Sequence, residues 1–269
     1  MHRSCSVFAC CLCGCGCLIG AIASAADDKK SEDKTPKLLV AAPLGVVPGM
    51  STKLMLRGLR VDEATEVRAT IGDKQLETKL LAKQKNNLGP NLDPKLGGDS
   101  QVDVELTVPS EAVGSPENPT SLRFVVVTAA GVSEPYELPL ASADQFENEQ
   151  EPNDGFDSDS KKGAQPIALG KVVLGRIERA QDVDVYSIES TAGQKLTIEV
   201  TARRLGSPLD ALLTLFDQHG TILATSDDTG DSTDSQIEFT SPGGKLYTVV
   251  SDANDQGSAA HGYRLAVRQ

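Results

Sequence analysis

The chain of 269 residues has no tryptophan, and aromatic residues make up only 4% of it. That scarcity argues against a stacking platform for sugars or nucleic-acid bases. Basic residues are also in short supply, with 26 Lys and Arg against 38 Asp and Glu and a net charge of −12. Such a balance opposes binding to nucleic acid or to anionic lipid surfaces and suits a soluble protein or one that collects divalent cations. Histidine occurs three times, at His2, His219 and His261. There is no Gly-x-Ser-x-Gly elbow, no His-Glu-x-x-His zinc motif and no phosphate-cradling glycine loop with lysine. A nucleophile, base and orienting acid can still assemble in space. A secreted hydrolase with an unrecognised site therefore stays as the alternative to a non-catalytic chain, its marker being a pocket with His219 or His261 beside a serine and a carboxylate.

Cysteine is absent beyond Cys17. All six, Cys5, Cys10, Cys11, Cys13, Cys15 and Cys17, crowd into the first 17 residues. Arg3, an apolar run from Val7 to Ile22 and the small-x-small sequence Ala23-Ser24-Ala25 have the plan of a secretory signal peptide over residues 1–25. Gly14, Gly16 and Gly20 break the run, which is short for a lasting membrane helix. On this reading cleavage discards every cysteine, and packing, aided by any bound metal ions, holds the mature chain in place of disulfides. Two other readings remain for the cysteines: a metal or disulfide cluster, and a lipobox at Leu12-Cys13-Gly14-Cys15 that would place a lipid on Cys15 and make the chain a structural envelope lipoprotein.

What the sequence does have is period-2 alternation. Residues 26–37 read as a charged, flexible leader. Between 38 and 141, Leu54 and Leu56, then Val67, Ala69 and Ile71, then Val102, Val104, Leu106 and Val108 alternate with polar residues. Gly72-Asp73-Lys74 stands at a hairpin turn, and Leu122 to Val127, apolar except for Arg123, is a run expected of a buried strand. Residues 86–100 read as a long exposed loop. Residues 142–163 form an acidic linker that also holds the start of the second block's motif, and a second strand-rich block occupies 164–269. There Leu196, Ile198 and Val200 alternate, and Asp217-Gln218-His219-Gly220 closes a hairpin. No sustained 3.6-residue stripe occurs, so the expected fold class is all-β, two β-sandwich domains, the second resembling a jelly roll.

The second block carries Glu151-Pro152-Asn153-Asp154, Gly175-Arg176-Ile177, Asp182-Val183-Asp184-Val185-Tyr186, the run Leu209 to Asp217, Asp227-Asp228, and Gly244, Tyr247, Tyr263 and Leu265 in order. In this it resembles the bacterial pre-peptidase C-terminal domain, a secreted β-sandwich module related to the collagen-binding domains of collagenases. The first block carries Ala42-Pro43-Leu44-Gly45, Pro48-Gly49 and Leu54 to Leu59, and so resembles an immunoglobulin-like module of the IPT/TIG kind.

Glu149, Glu151 and Asn153 are spaced i, i+2, i+4, which sets side chains on one side of an extended segment, and Asp154 follows. Calcium takes six to eight hard oxygen ligands. The resemblance implies calcium on this acidic segment together with Asp182 and Asp184. The competing reading is a solvated acidic linker. Asp227, Asp228, Asp231 and Asp234 form a second acidic group, read as a polar loop or a cation site. Tyr186, Tyr247 and Tyr263 read as packing residues rather than a binding patch. The expected role is a non-catalytic accessory or binding module, outside the cytoplasm or in the cell envelope. Its expected partner is an extracellular or envelope protein or a polysaccharide, with protease association implied by the resemblance.

Overall fold

Alternation of inward apolar and outward polar side chains builds the strands of the computed structural model, which describes residues 33–86, 93–112, 120–140, 145–156 and 163–269. The signal-peptide and lipobox readings, Cys15 included, lie outside the described residues, as do most of the leader and residues 87–92 of the expected loop. That loop also contains a one-turn helix α1 (Pro94–Gly97), started by the Asp93 carboxylate, which accepts from Lys95 N at 2.8 Å.

The N-terminal strands are β1 (Lys37–Ala42), β2 (Ser51–Leu59), β3 (Glu66–Ile71), β4 (Lys74–Leu76), β5 (Thr78–Lys85), β6 (Ser100–Thr107), β7 (Ser121–Thr128), β8 (Gly131–Val132) and β9 (Tyr136–Pro139). One sheet has the order β1-β2-β6-β5. The other is β4-β3-β7-β8, with β9 on β7, and all pairs are antiparallel. Leu54, Leu56, Val102 and Val104 from the first sheet share one core with Val67, Ala69, Leu122 and Phe124 from the second. The run Leu122 to Val127 is buried on one face only. Leu122, Phe124 and Val126 point inward, and Val125 stays half-exposed.

The C-terminal strands are β10 (Phe146–Asn148), β11 (Gln165–Pro166), β12 (Val172–Arg176), β13 (Val183–Ser190), β14 (Lys195–Thr201), β15 (Ala211–Asp217), β16 (Ile222–Ser226), β17 (Gln236–Thr240), β18 (Gly244–Asp252) and β19 (Gly262–Arg268). They form sheets of order β10-β12-β19-β14-β17 and β11-β13-β18-β15-β16. Ile198, Val200 and Leu265 from one sheet meet Ile188, Leu213 and Val250 from the other. The acidic stretch expected to be a linker is therefore partly sheet. β10 pairs in parallel with β12, because Phe146 is apolar enough to be drawn under cover while Glu147 stays outside.

Residues 34–269 pack as one compact unit. A small apolar cluster of Val40, Leu44 and Ala260 joins the two sandwiches. Around it, Arg264 donates to Leu44 O at 2.5 Å and to Pro139 O at 2.7 Å, and Tyr136 donates to Leu205 O at 2.7 Å. Gly206, at φ 82°, sits so close to β1 that a Cβ would lie 1.9 Å from Leu39 O. Only glycine satisfies both demands.

Candidate cation site

The acidic segment leaves the edge of the second sandwich just after β10. Glu149 N donates to Leu174 O at 3.1 Å, which prolongs the pairing with β12 by one residue. Buried Gln165 clamps the segment from the other sheet. Its Oε1 accepts from Gln150 N at 2.7 Å and its Nε2 donates to Asn148 O at 3.1 Å. The chain then crosses to β13, where Asn153 O accepts from Val185 N at 2.9 Å. The path brings Glu149 and Glu151 against Asp184, on the inward face of β13 two residues before Tyr186.

Carboxylate oxygens of Glu149, Glu151 and Asp184 all lie within 4.8 Å of one another. They form a gradient of depth: Asp184 is buried, Glu149 half-buried and Glu151 at the exposed rim. Two tyrosines hold the floor. Tyr263 donates to Asp184 Oδ2 at 2.6 Å and lies 2.9 Å from Glu149 Oε1, which also accepts from Tyr186 at 2.7 Å. The two hydroxyls are 2.7 Å apart. The other oxygen of Glu149 accepts from Arg176 N at 2.9 Å. Asp184 Oδ1 accepts nothing. Asn153 is wholly buried beside Glu151, to whose Oε2 its backbone N–H donates at 3.3 Å, and neither atom of its side-chain amide has a partner. Buried polar groups are ordinarily paired, so an orphaned amide and an orphaned carboxylate oxygen beside two further carboxylates fit a hard cation.

The electrostatics agree. Desolvation, then repulsion from Glu149, Asp182 and Asp154, pushes the Glu151 carboxyl up to about 7. Burial and the charge of Glu149 also hold the Asp184 carboxyl far above the carboxylate range. Negative charges crowded together out of water disfavour one another, and a divalent ion reverses that penalty.

Asp154 and Asp182 sit one step back. Asp182 Oδ2 accepts from Glu178 N at 2.7 Å and its Oδ1 pairs with Arg179 at 2.9 Å, while Asp154 lies 3.8 Å from the same guanidinium. Of the six residues expected at the site, the structure brings three carboxylates together with Asn153 beside them and gives Asp154 and Asp182 to Arg179. Sequence reading missed the hydroxyls of Tyr186 and Tyr263. The signal was the Asp-x-Tyr spacing of Asp184 and Tyr186, which sets both on one face of a strand. Tyr247 lies elsewhere, in edge contact with Phe156, whose ring also meets Phe216.

The second acidic group divides. Asp234 is buried and used internally, accepting from Ala202 N at 2.8 Å and Arg203 N at 2.6 Å and pairing with Arg204 at 2.6 Å. Asp227 and Asp228 converge instead with Asp210, which accepts from Asn254 at 2.8 Å. Of the histidines, His219 is exposed on its turn. His261 is buried, with Nδ1 2.8 Å from Ser258 Oγ. That serine also caps Ala260 N at 3.1 Å, and Asp252 accepts from the backbone N–H groups of Asp210, Asn254 and Gln256. The contact is a local turn within one loop; among the described residues no carboxylate hydrogen-bonds the ring, although burial, which lowers the imidazole pKa, is partly opposed by the charge of Asp252.

Residues 182–252, which span β13 to β18, match the family model of the bacterial pre-peptidase C-terminal domain. Among solved structures, the chain is similar to the pre-peptidase C-terminal domain of a collagenase from Bacillus anthracis, with 20% identity over 39% of this chain and 93% of that one and a TM-score of 0.32. It is similar to PliG of Aeromonas hydrophila, a periplasmic inhibitor of g-type lysozyme, at 17% identity, 39% and 95% coverage and a TM-score of 0.28. It is also similar to the secreted serine protease VesC of Vibrio cholerae, at 9% identity, 82% and 47% coverage and a TM-score of 0.28. No curated protein matches. Among the described residues no helix is long and apolar enough to cross a membrane.

Proposed function

We propose that the chain is a non-catalytic binding or accessory protein that works outside the cytoplasm, or in the cell envelope, and is stabilised by calcium. Its first sandwich is read as an immunoglobulin-like module beside the pre-peptidase C-terminal domain. Its partner is an extracellular or envelope protein or a polysaccharide, and a secreted protease is one such partner. The observation that carries the reading is the convergence of Glu149, Glu151 and Asp184 beside the unpartnered amide of Asn153. These residues offer the oxygens for the ion, while Tyr186 and Tyr263 orient Glu149 and Asp184. Asp154 and Asp182 enter the same site if Arg179, which is largely exposed, swings away. Calcium bound only to the folded state stabilises it by mass action.

Thermal melting of the chelated protein with and without added calcium tests this. Millimolar calcium is expected to raise the melting temperature by several degrees, and Glu151→Gln together with Asp184→Asn is expected to abolish the rise. Identical melting curves in chelator and in calcium would remove the ion from the account.

A further inference from the structure

Between the two sandwiches lies a cleft of about 700 Å³, within the range of ligand pockets, roughly 300–1,000 Å³. One wall is the outer face of the sheet β1-β2-β6-β5, with Lys53, Met55, Leu81 and Asp103. The other is the start of the second sandwich, with Glu149, Glu151, Leu174, Arg176 and Glu178. Two properties of this cleft are unexplained by packing. Leu81 is 38% exposed although it faces a concave surface. The lining also sets four carboxylates, Asp103, Glu149, Glu151 and Glu178, against two cations, and Arg176 is already paired with Glu178. The cleft is thus apolar along its length and negative at its wall, on a chain that is itself acidic.

The geometry points to a basic side chain, a lysine or arginine of a partner polypeptide, as the occupant of this cleft. Its aliphatic stem lies against Pro43, Met55, Leu81 and Leu174, and its cationic head faces Asp103, Glu149 and Glu151. Lysine and arginine are the side chains that join an apolar stem to a charged tip. The field of the whole acidic chain steers such a ligand inward. This rests on the reading of the chain as a binding module; the cleft shares Glu149 and Glu151 with the proposed calcium site, while Asp103, Met55 and Leu81 belong to the first sandwich.

The test is an NMR titration of the isotope-labelled chain, in chelator, with the peptide acetyl-Ala-Val-Lys-Val-Ala-amide and with its norleucine and glutamate counterparts at the central position. The lysine peptide is expected to saturate at millimolar concentration or below and to shift the amides of Met55, Leu81, Asp103 and Leu174. It is expected to bind at least about fivefold more tightly than the norleucine peptide, the effect of one charge-assisted contact. Asp103→Asn is expected to remove most of that preference, and Leu81→Ser to weaken both peptides. Equal binding of the three peptides, shifts confined to other surfaces, or no saturation at millimolar peptide would each overturn the assignment. The peptide measurement contains no metal, so peptide binding without a calcium-induced melting shift would remove only the ion, and a calcium shift without peptide binding would remove only this assignment.

Discussion

Glu151 concentrates the chemistry of the site in one titration. Its carboxyl rises from 4.5 to about 7 on folding, first by desolvation and then by the charges of Glu149, Asp182 and Asp154. A carboxyl whose pKa rises on folding holds its proton more tightly in the folded chain, so acid favours the fold. The contribution is complete below about 4.5 and is lost as pH climbs through about 7. Asp184 shifts in the same direction. In chelator, the site therefore makes the protein less stable at pH 8 than at pH 5.5, and calcium offsets the loss where the carboxylates are ionised. Melting temperatures across this window should show a calcium-induced rise that grows with pH. A rise of constant size from pH 5 to 8 would separate the ion from these carboxylates. The spacing of Glu149, Glu151 and Asn153 made these residues legible in sequence. The burial of Asn153 and the separation of Asp182 from the cluster were not, because both depend on where the segment crosses to β13 and on the position of Arg179.

At the scale of elements, β12 and β19 set the floor of the site through one glycine. A Cβ on Gly175 would meet Tyr263 Cζ at 2.4 Å and its hydroxyl at 2.5 Å, in the middle of the paired register Gly175↔Tyr263. Gly175→Ala must therefore displace the ring that donates to Asp184. The expected cost is about 1–3 kcal/mol of stability, as for overpacked cores, together with a smaller calcium-induced rise in melting temperature. Urea unfolding with and without calcium reads both effects. Unchanged stability would mean that the ring moves freely and does not position Asp184. The glycine was visible in the sequence as part of Gly175-Arg176-Ile177, one of the pieces that carry the family resemblance, but its reason needed the cross-strand partner, 88 positions away by number. Alternation located most strands, including β2, β3, β6, β14 and β18. It overstated the burial of β7, since a run of Val residues reads alike whether one face or both are covered. It also missed β10, whose three residues are too few to show a period.

At the scale of the whole molecule, the two sandwiches meet through charge as well as apolar contact. Arg264 is half-buried at the seam, and desolvation lowers its guanidinium to about 10, yet it keeps two carbonyl partners from the first sandwich. Period-2 patterning could not reveal this, because Arg264 occupies an outward position on β19 and only the neighbouring sandwich turns that face into an interior. The same packing leaves the cleft beside Glu149 and Glu151, so the cation site and the gap between sandwiches share a wall. The account as a whole depends on that wall holding an ion. The most direct measurement is a calorimetric calcium titration of the chelated chain at pH 7.5, repeated with Asp184→Asn. The expected result is calcium binding with a component that disappears in the variant. Uptake unchanged in the variant would assign the ion to the Asp210, Asp227 and Asp228 group, and no uptake in either protein would leave the buried carboxylates without the cation on which the reading rests.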